Sequence, residues 1–161
     1  MPKVIITALF QIILMSCLFF HGCEKRSQDC KDVIDLPREQ GYATFETYTI
    51  EKQLDVYLCA MNIEPPDLGL ADLIAKRGES AIPSVLERLR TTRREIDQED
   101  IIYLFEVMSS RGLLRGRKDV IGEISDVVDG MKIVQLRQSS RERLKKIQIN
   151  SGVQTTRPNV Q

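Results

Sequence analysis

The chain has 161 residues, with 23 Lys and Arg against 23 Asp and Glu. That length is short for two ordinary domains, and zero net charge supplies no field for steering toward nucleic acid. Aromatics make up 6% of the chain, tryptophan is absent and charged residues reach 29%, which excludes a collagen, a coiled-coil rod and a polytopic membrane protein.

The first predicted element is an address. Met1 to Lys3 form a short positive start, and Val4 to Phe20 is an apolar run interrupted only by Thr7, Gln11 and Ser16, the pattern of a secretory signal. Leu18-Phe19-Phe20-His21-Gly22-Cys23 then places a small residue and a cysteine just past the run. Here the sequence resembles a bacterial lipoprotein precursor. The resemblance implies removal of residues 1–22, a diacylglyceryl thioether on Cys23 and a bacterial cell-membrane or outer-membrane location facing periplasm or exterior. Gly22 and Cys23 match the family pattern, whereas Phe20 and His21 depart from it. A second partial match, Leu14-Met15-Ser16-Cys17, would leave Leu18-Phe19-Phe20 exposed after cleavage, so the lipid is assigned to Cys23. At about 0.8 kcal/mol per buried CH₂, two or three acyl chains hold a protein on a membrane. Two other fates stay open: an uncleaved anchor, although spanning needs about 20 apolar residues, and an ordinary cleaved signal. Cleavage would also remove His21, the only histidine, and with it the commonest general base.

Residues 23–41 are charge-rich, contain Pro37 and Gly41 and hold no sustained apolar period. They read as the lipidated N-terminus and a flexible tether spanning on the order of 20–25 Å. Residues 42–149 read as an all-α domain, and 150–161 as a disordered tail. Ile50, Leu54, Tyr57, Leu58 and Met61 keep helical spacing after Thr49, a candidate N-cap, and stop at Glu64-Pro65-Pro66. Asp67 is the expected cap of a second helix carrying Leu70, Leu73 and Ile74. Ser80 is the expected cap of a third, with Pro83 in its first turn and Ile82, Val85, Leu86 and Leu89 inward. Asp97 and Asp100 are expected to open a fourth with Ile101, Leu104, Phe105 and Met108, closed at Arg111-Gly112. A fifth carries Val120, Ile121, Ile124, Val127 and Val128, extended past Gly130 by Met131, Val134 and Leu136. Ser139 and Glu142 are the expected capping box of the last, with Leu144 and Ile147. No segment alternates cleanly at period two.

Residues 73–86, an apolar helix end, Gly78, and then Ala81-Ile82-Pro83 opening the next helix, resemble the join inside a HEAT-type helical pair. A shift of 31 residues superposes Leu70, Leu73 and Ile74 on Ile101, Leu104 and Phe105, while a shift of 39 superposes Ile82, Val85 and Leu89 on Ile121, Ile124 and Val128. The resemblance spans residues 67 to about 130 and implies antiparallel helical pairs stacked into a surface for protein partners. A small irregular bundle fits the same apolar pattern.

Chemistry is sparse. With Cys17 removed and Cys23 lipidated, Cys30 and Cys59 form an even pair in an oxidising compartment. Either they bridge, or Cys59 is a buried core residue and Cys30 a free thiol. No metal site is expected from two cysteines 29 positions apart without histidine, and no cofactor. Glu95, Asp97, Glu99 and Asp100 are the densest carboxylates, but acids ahead of an apolar-periodic helix are what its dipole favours. No phosphate loop or nucleophile elbow is present, so a catalytic role is not expected. An envelope enzyme would need a cavity joining acids from different helices. Arg88, Arg90, Arg93 and Arg94, and then Arg137, Arg141, Arg143, Lys145 and Lys146, give residues 67–150 a balance of 16 basic to 14 acidic. These read either as solvated helix faces or as a surface for anionic headgroups or an acidic partner. Tyr42, Phe45, Tyr48 and Tyr57 read as packing or as a recognition spot. The leading expectation is a lipid-anchored, non-catalytic binding or structural module of the cell envelope with a protein partner and no nucleic acid. The alternative is a structural protein held by an uncleaved N-terminal helix.

Overall fold

A computed structural model describes residues 26–153. Residues 1–25, with His21, Cys23 and the segment read as a signal, and residues 154–161 lie outside the described residues. The expected all-α architecture is what the chain adopts: α1 (Gln28–Ile34), α2 (Arg38–Glu46), α3 (Ile50–Met61), α4 (Gly69–Ala75), a 3₁₀ turn (Gly78–Ala81), α5 (Ile82–Thr91), α6 (Glu95–Ser110), α7 (Lys118–Gly130) and α8 (Val134–Ser151).

From Gln28 on, the region read as a tether is mostly helical. Ser27 caps α1 by accepting from the Cys30 amide at 3.2 Å. The helix then buries Cys30 and Val33, and Cys30 is bonded to Cys59 of α3 across a Cα separation of 6.3 Å. Helix α2 buries Phe45 and presses Gly41 onto α1, so closely that a Cβ there would sit 2.1 Å from the Val33 carbonyl oxygen. Gly41 is thus a contact residue rather than a source of slack. With so few inward side chains, neither helix displays the long apolar period by which the later ones are recognised.

From α3 onward most of each apolar stripe lies inside, although Ile50, Leu58, Met61 and Val127 are half-buried and Val134 is exposed. Thr49 caps α3 by accepting from the Lys52 amide, and Leu54, Tyr57 and Ala60 are buried. The phenol of Tyr57 donates to the Asp100 carbonyl at 2.7 Å, which removes the penalty of a buried hydroxyl. Full burial of a Leu, Ile, Val or Phe side chain contributes roughly 1.5–3 kcal/mol against the entropy of ordering it. Leu70, Ile74, Ile82, Val85, Leu89, Ile101, Leu104, Phe105, Met108, Val120, Ile121, Ile124, Val128 and Ile147 form one continuous core.

Local capping departs from expectation at four places. Leu68, not Asp67, holds the N-cap of α4, and Asp67 Oδ1 accepts from the Gly69 amide from one residue further out. Ser80, by contrast, donates to the Arg77 carbonyl inside a 3₁₀ turn and caps nothing. Helix α6 starts at Glu95, so Asp97 and Asp100 lie within it. Helix α7 ends at Gly130, the chain extends at Met131, and α8 begins at Val134 rather than at Ser139. Both carboxylate oxygens of Glu95 accept amides there, Lys132 and Ile133, at 2.8 Å each. An acid from a neighbouring helix therefore supplies the cap that Ser139 and Glu142 were expected to give. At the far end α8 runs through Asn150 and Ser151. Gly152, at φ 66°, closes it while the Val153 amide donates back to the Gln148 carbonyl, a left-handed stop that favours glycine. Val153 is buried, so the tail does not begin at residue 150.

Each helix packs on the next but one, α1 on α3, α2 on α4, α3 on α5, α4 on α6, α5 on α7 and α6 on α8. This sorts them into two layers, α1-α3-α5-α7 and α2-α4-α6-α8. Helices α6 and α8 run parallel, because Glu99 meets Ser139, Glu106 meets Lys146 and Ser109 meets Asn150 in register. One end of the stack gathers Arg26, Asn62, Arg94 and the α7–α8 junction; the other gathers Arg111, Gly116 and Ser151.

Candidate functional site

A cleft of about 470 Å³ lies against the disulfide. Arg26 and Ser27 reach it from ahead of α1, Asp55, Leu58, Cys59, Asn62 and Ile63 from α3 and its exit, and Arg94 and Asp97 from the start of α6. It is a mixed surface, with two cations, two carboxylates, an amide and two aliphatic side chains. Asp97 has a 14% exposed side chain beside Arg94, whose Nε is 3.6 Å from Oδ2. Its Oδ1 is buried and meets no hydrogen-bond donor among the described residues. Such a pocket has the size and lining to receive a side chain of a partner or a small polar ligand. Leu58, Cys59, Arg94 and Asp97 were singled out in the sequence; Arg26, Asp55, Asn62 and Ile63 were not, since three segments distant along the chain build the cleft.

The four acids of the α6 start are dispersed in role. Glu95 is held below the ordinary carboxylate range by the Ile133 and Lys132 amides. Glu99 accepts from Ser139 Oγ at 2.9 Å and from Arg143 Nε at 2.8 Å. Asp100 is only 6% exposed; burial first, then the neighbouring charges of Glu99 and Asp97, raise its carboxyl from 3.8 to about 7. Asp100 is not among the residues lining the cleft. The cavity does bring acids from two helices together, Asp55 and Asp97. Among the described residues there is no group of His, Cys, Asp and Glu that could hold a metal ion.

Several of the basic residues turn out to be fasteners between helices of the same layer. Arg88 meets Asp55 at 2.6 Å, Arg90 takes both oxygens of Glu123 at 2.6 and 2.7 Å, and Arg111 meets Asp72 at 2.6 Å. Arg143 is the most elaborate. It binds Glu99 and Glu106, lies 4.8 Å from the Tyr103 ring centroid and shares Glu106 with Lys146. Burial opposes the charge on both Arg143 and Glu106, yet their mutual bonds outweigh it and hold Arg143 above, and Glu106 below, the ordinary values. Arg141 meets Asp129 at 3.4 Å, and Arg137 donates to the Met131 carbonyl. Arg93 and Lys145 are exposed.

The aromatics are structural. Phe45 and Tyr57 are fully buried. Tyr42 donates to Asp67 at 2.7 Å and accepts from Arg38 at 3.0 Å, and Lys52 Nζ lies 4.1 Å from the Tyr48 ring centroid. No helix among the described residues is long and apolar enough to cross a membrane. No protein-family model, curated protein or solved structure matches this chain.

Proposed function

We propose that this chain is a bacterial lipoprotein, acylated on Cys23 and carrying a non-catalytic helical module that binds another protein at the cell envelope. The observation that carries the reading is the Cys30–Cys59 bond. Such bridges form and persist where the surroundings are oxidising, outside the cytosol, which is the compartment to which Val4–Phe20 and Cys23 would deliver the chain. The alternation of two layers, with each helix on the next but one, supports a HEAT-like stack, and stacks of this kind offer extended surfaces to protein partners. The cleft beside the disulfide, with charges of both signs around Leu58 and Ile63, is where a partner side chain would seat.

Feeding a clickable fatty acid to cells expressing the full chain tests the anchor. The wild type incorporates the label and partitions with membranes, and Cys23→Ala does neither. Label retained by Cys23→Ala would overturn the assignment, and membrane retention of an unlabelled chain beginning at Met1 would favour the uncleaved anchor.

A further inference from the structure

The described chain begins at the end of the stack where α3, α5 and α7 finish and α6 and α8 start. Arg26 shares its cleft with Arg94 and Asp97, and the next residue of that turn, Glu95, holds the amides of Lys132 and Ile133. The folded α1 leaves little slack, because three peptide units from Cys23 to Arg26 reach at most about 11 Å. A headgroup layer is about 5–8 Å deep on each side of a bilayer. A chain acylated at Cys23 therefore cannot hold this end far from the membrane.

The same end carries side chains suited to that position. Ile133 and Val134 are 50% and 58% exposed, and Ile96, in the first turn of α6, is 45% exposed. Arg93 and Lys132 are exposed beside them. Two acids of this end are already engaged. Glu95 spends both oxygens on backbone amides, and Asp97 is mostly buried beside Arg94; Glu64, Asp129, Asp55 of the cleft and Asp35, which pairs with Arg26 at 3.6 Å, are exposed counterweights. Apolar tips flanked by cations are the composition that settles at a lipid interface, the aliphatic groups at the acyl boundary and the cations among phosphates.

We propose that this end, formed by Arg26, Arg93, Ile96, Lys132, Ile133 and Val134, docks onto the phospholipid surface in which the chain is anchored. The proposal rests on the lipoprotein reading and deepens it by assigning the orientation. Ile133 and Val134 dip to the acyl boundary, and the Arg111–Gly116 end points away from the membrane.

The chain has no tryptophan, so a single one reports its own depth. Full-length acylated Ile133→Trp, and Val134→Trp should the first not fold, are reconstituted in phosphatidylcholine–phosphatidylglycerol vesicles with or without brominated acyl chains. Ile149→Trp is the control, since Ile149 is 78% exposed but lies near the opposite end. Flotation is scored before fluorescence. The expected result is that all three variants float, that emission at 133 or 134 is quenched by brominated lipid, and that emission at 149 is not. Floating protein with equal quenching at both ends, or with none at 133 and 134, overturns the docking while leaving the anchor intact. Wild-type chain that does not float overturns the anchor and the docking with it.

Discussion

Helices α1 and α2 differ from α6 and α8 in what fastens them. The first pair buries Cys30, Val33, Gly41 and Phe45 and is tied to α3 by one covalent bond. The second pair buries Ile101, Ile102, Leu104, Phe105, Met108, Leu144 and Ile147 and adds the Arg143–Glu99–Glu106–Lys146 network. The first pair spans the two layers and the second lies within one, so the stack is held by a cross-link where apolar surface is scarce and by a core where it is plentiful. The contrast has a functional side, because the cross-linked region is the one next to the proposed anchor.

The largest expected effect breaks the contrast at the cross-link. Replacing both cysteines, Cys30→Ser with Cys59→Ser, frees a loop whose closure contributes about 3–4 kcal/mol by chain entropy. Hydrogen exchange should show amides of α1 and α2 losing protection while α6 and α8 keep theirs; uniform loss over all four would mean the regions are not fastened separately. Gly41→Ala should cost about 3 kcal/mol in a denaturant titration, because the new Cβ meets a backbone carbonyl that yields only if α1 shifts. A neutral result would mean that α1 and α2 slide freely.

Asp100→Asn sharpens the other side. The wild-type carboxyl binds its proton more tightly folded, at about 7, than unfolded, near 3.8. Its stabilising contribution is therefore present below pH 4 and is lost as pH rises toward 7. The amide should stabilise the protein by about 2 kcal/mol at pH 7.5, with little difference at pH 3.5, as read from thermal melts at the two pH values. Arg143→Ala should cost about 1–2 kcal/mol, since it leaves Glu99 and Glu106 short of a partner, and should raise exchange in α6 and α8 without touching α1. Asp55→Asn, which weakens an exposed pair with Arg88, should change stability by less than about 1 kcal/mol, with even that removed by salt.

Legibility in the sequence followed the same division. Helices α3 to α7 were readable because Leu54, Ile74, Leu89, Phe105 and Ile124 belong to stripes that fall on one face at 3.6-residue spacing. The tether reading of residues 23–41 failed because α1 and α2 bury too little to repeat. Ser27, three residues before Cys30, was the one local signal of a cap. The start of α8 was misplaced because Ser139 and Glu142 mimic a capping box, while Ser139 in fact bonds Glu99 across the layer and a distant Glu95 does the capping. Cysteine spacing left bridge and free thiol equally open, since pairing depends on α1 lying along α3. Leu58, Cys59, Arg94 and Asp97 of the cleft were legible in the sequence, but not as one site, because its walls come from segments whose meeting no local pattern records.

The central claim is the thioether at Cys23, and intact-mass analysis of the protein purified from its native membrane tests it most directly. The account requires a chain starting at Cys23 whose mass carries a diacylglyceryl group, with or without a further acyl chain on the new amino terminus. A polypeptide retaining Met1 and bearing no lipid would contradict it.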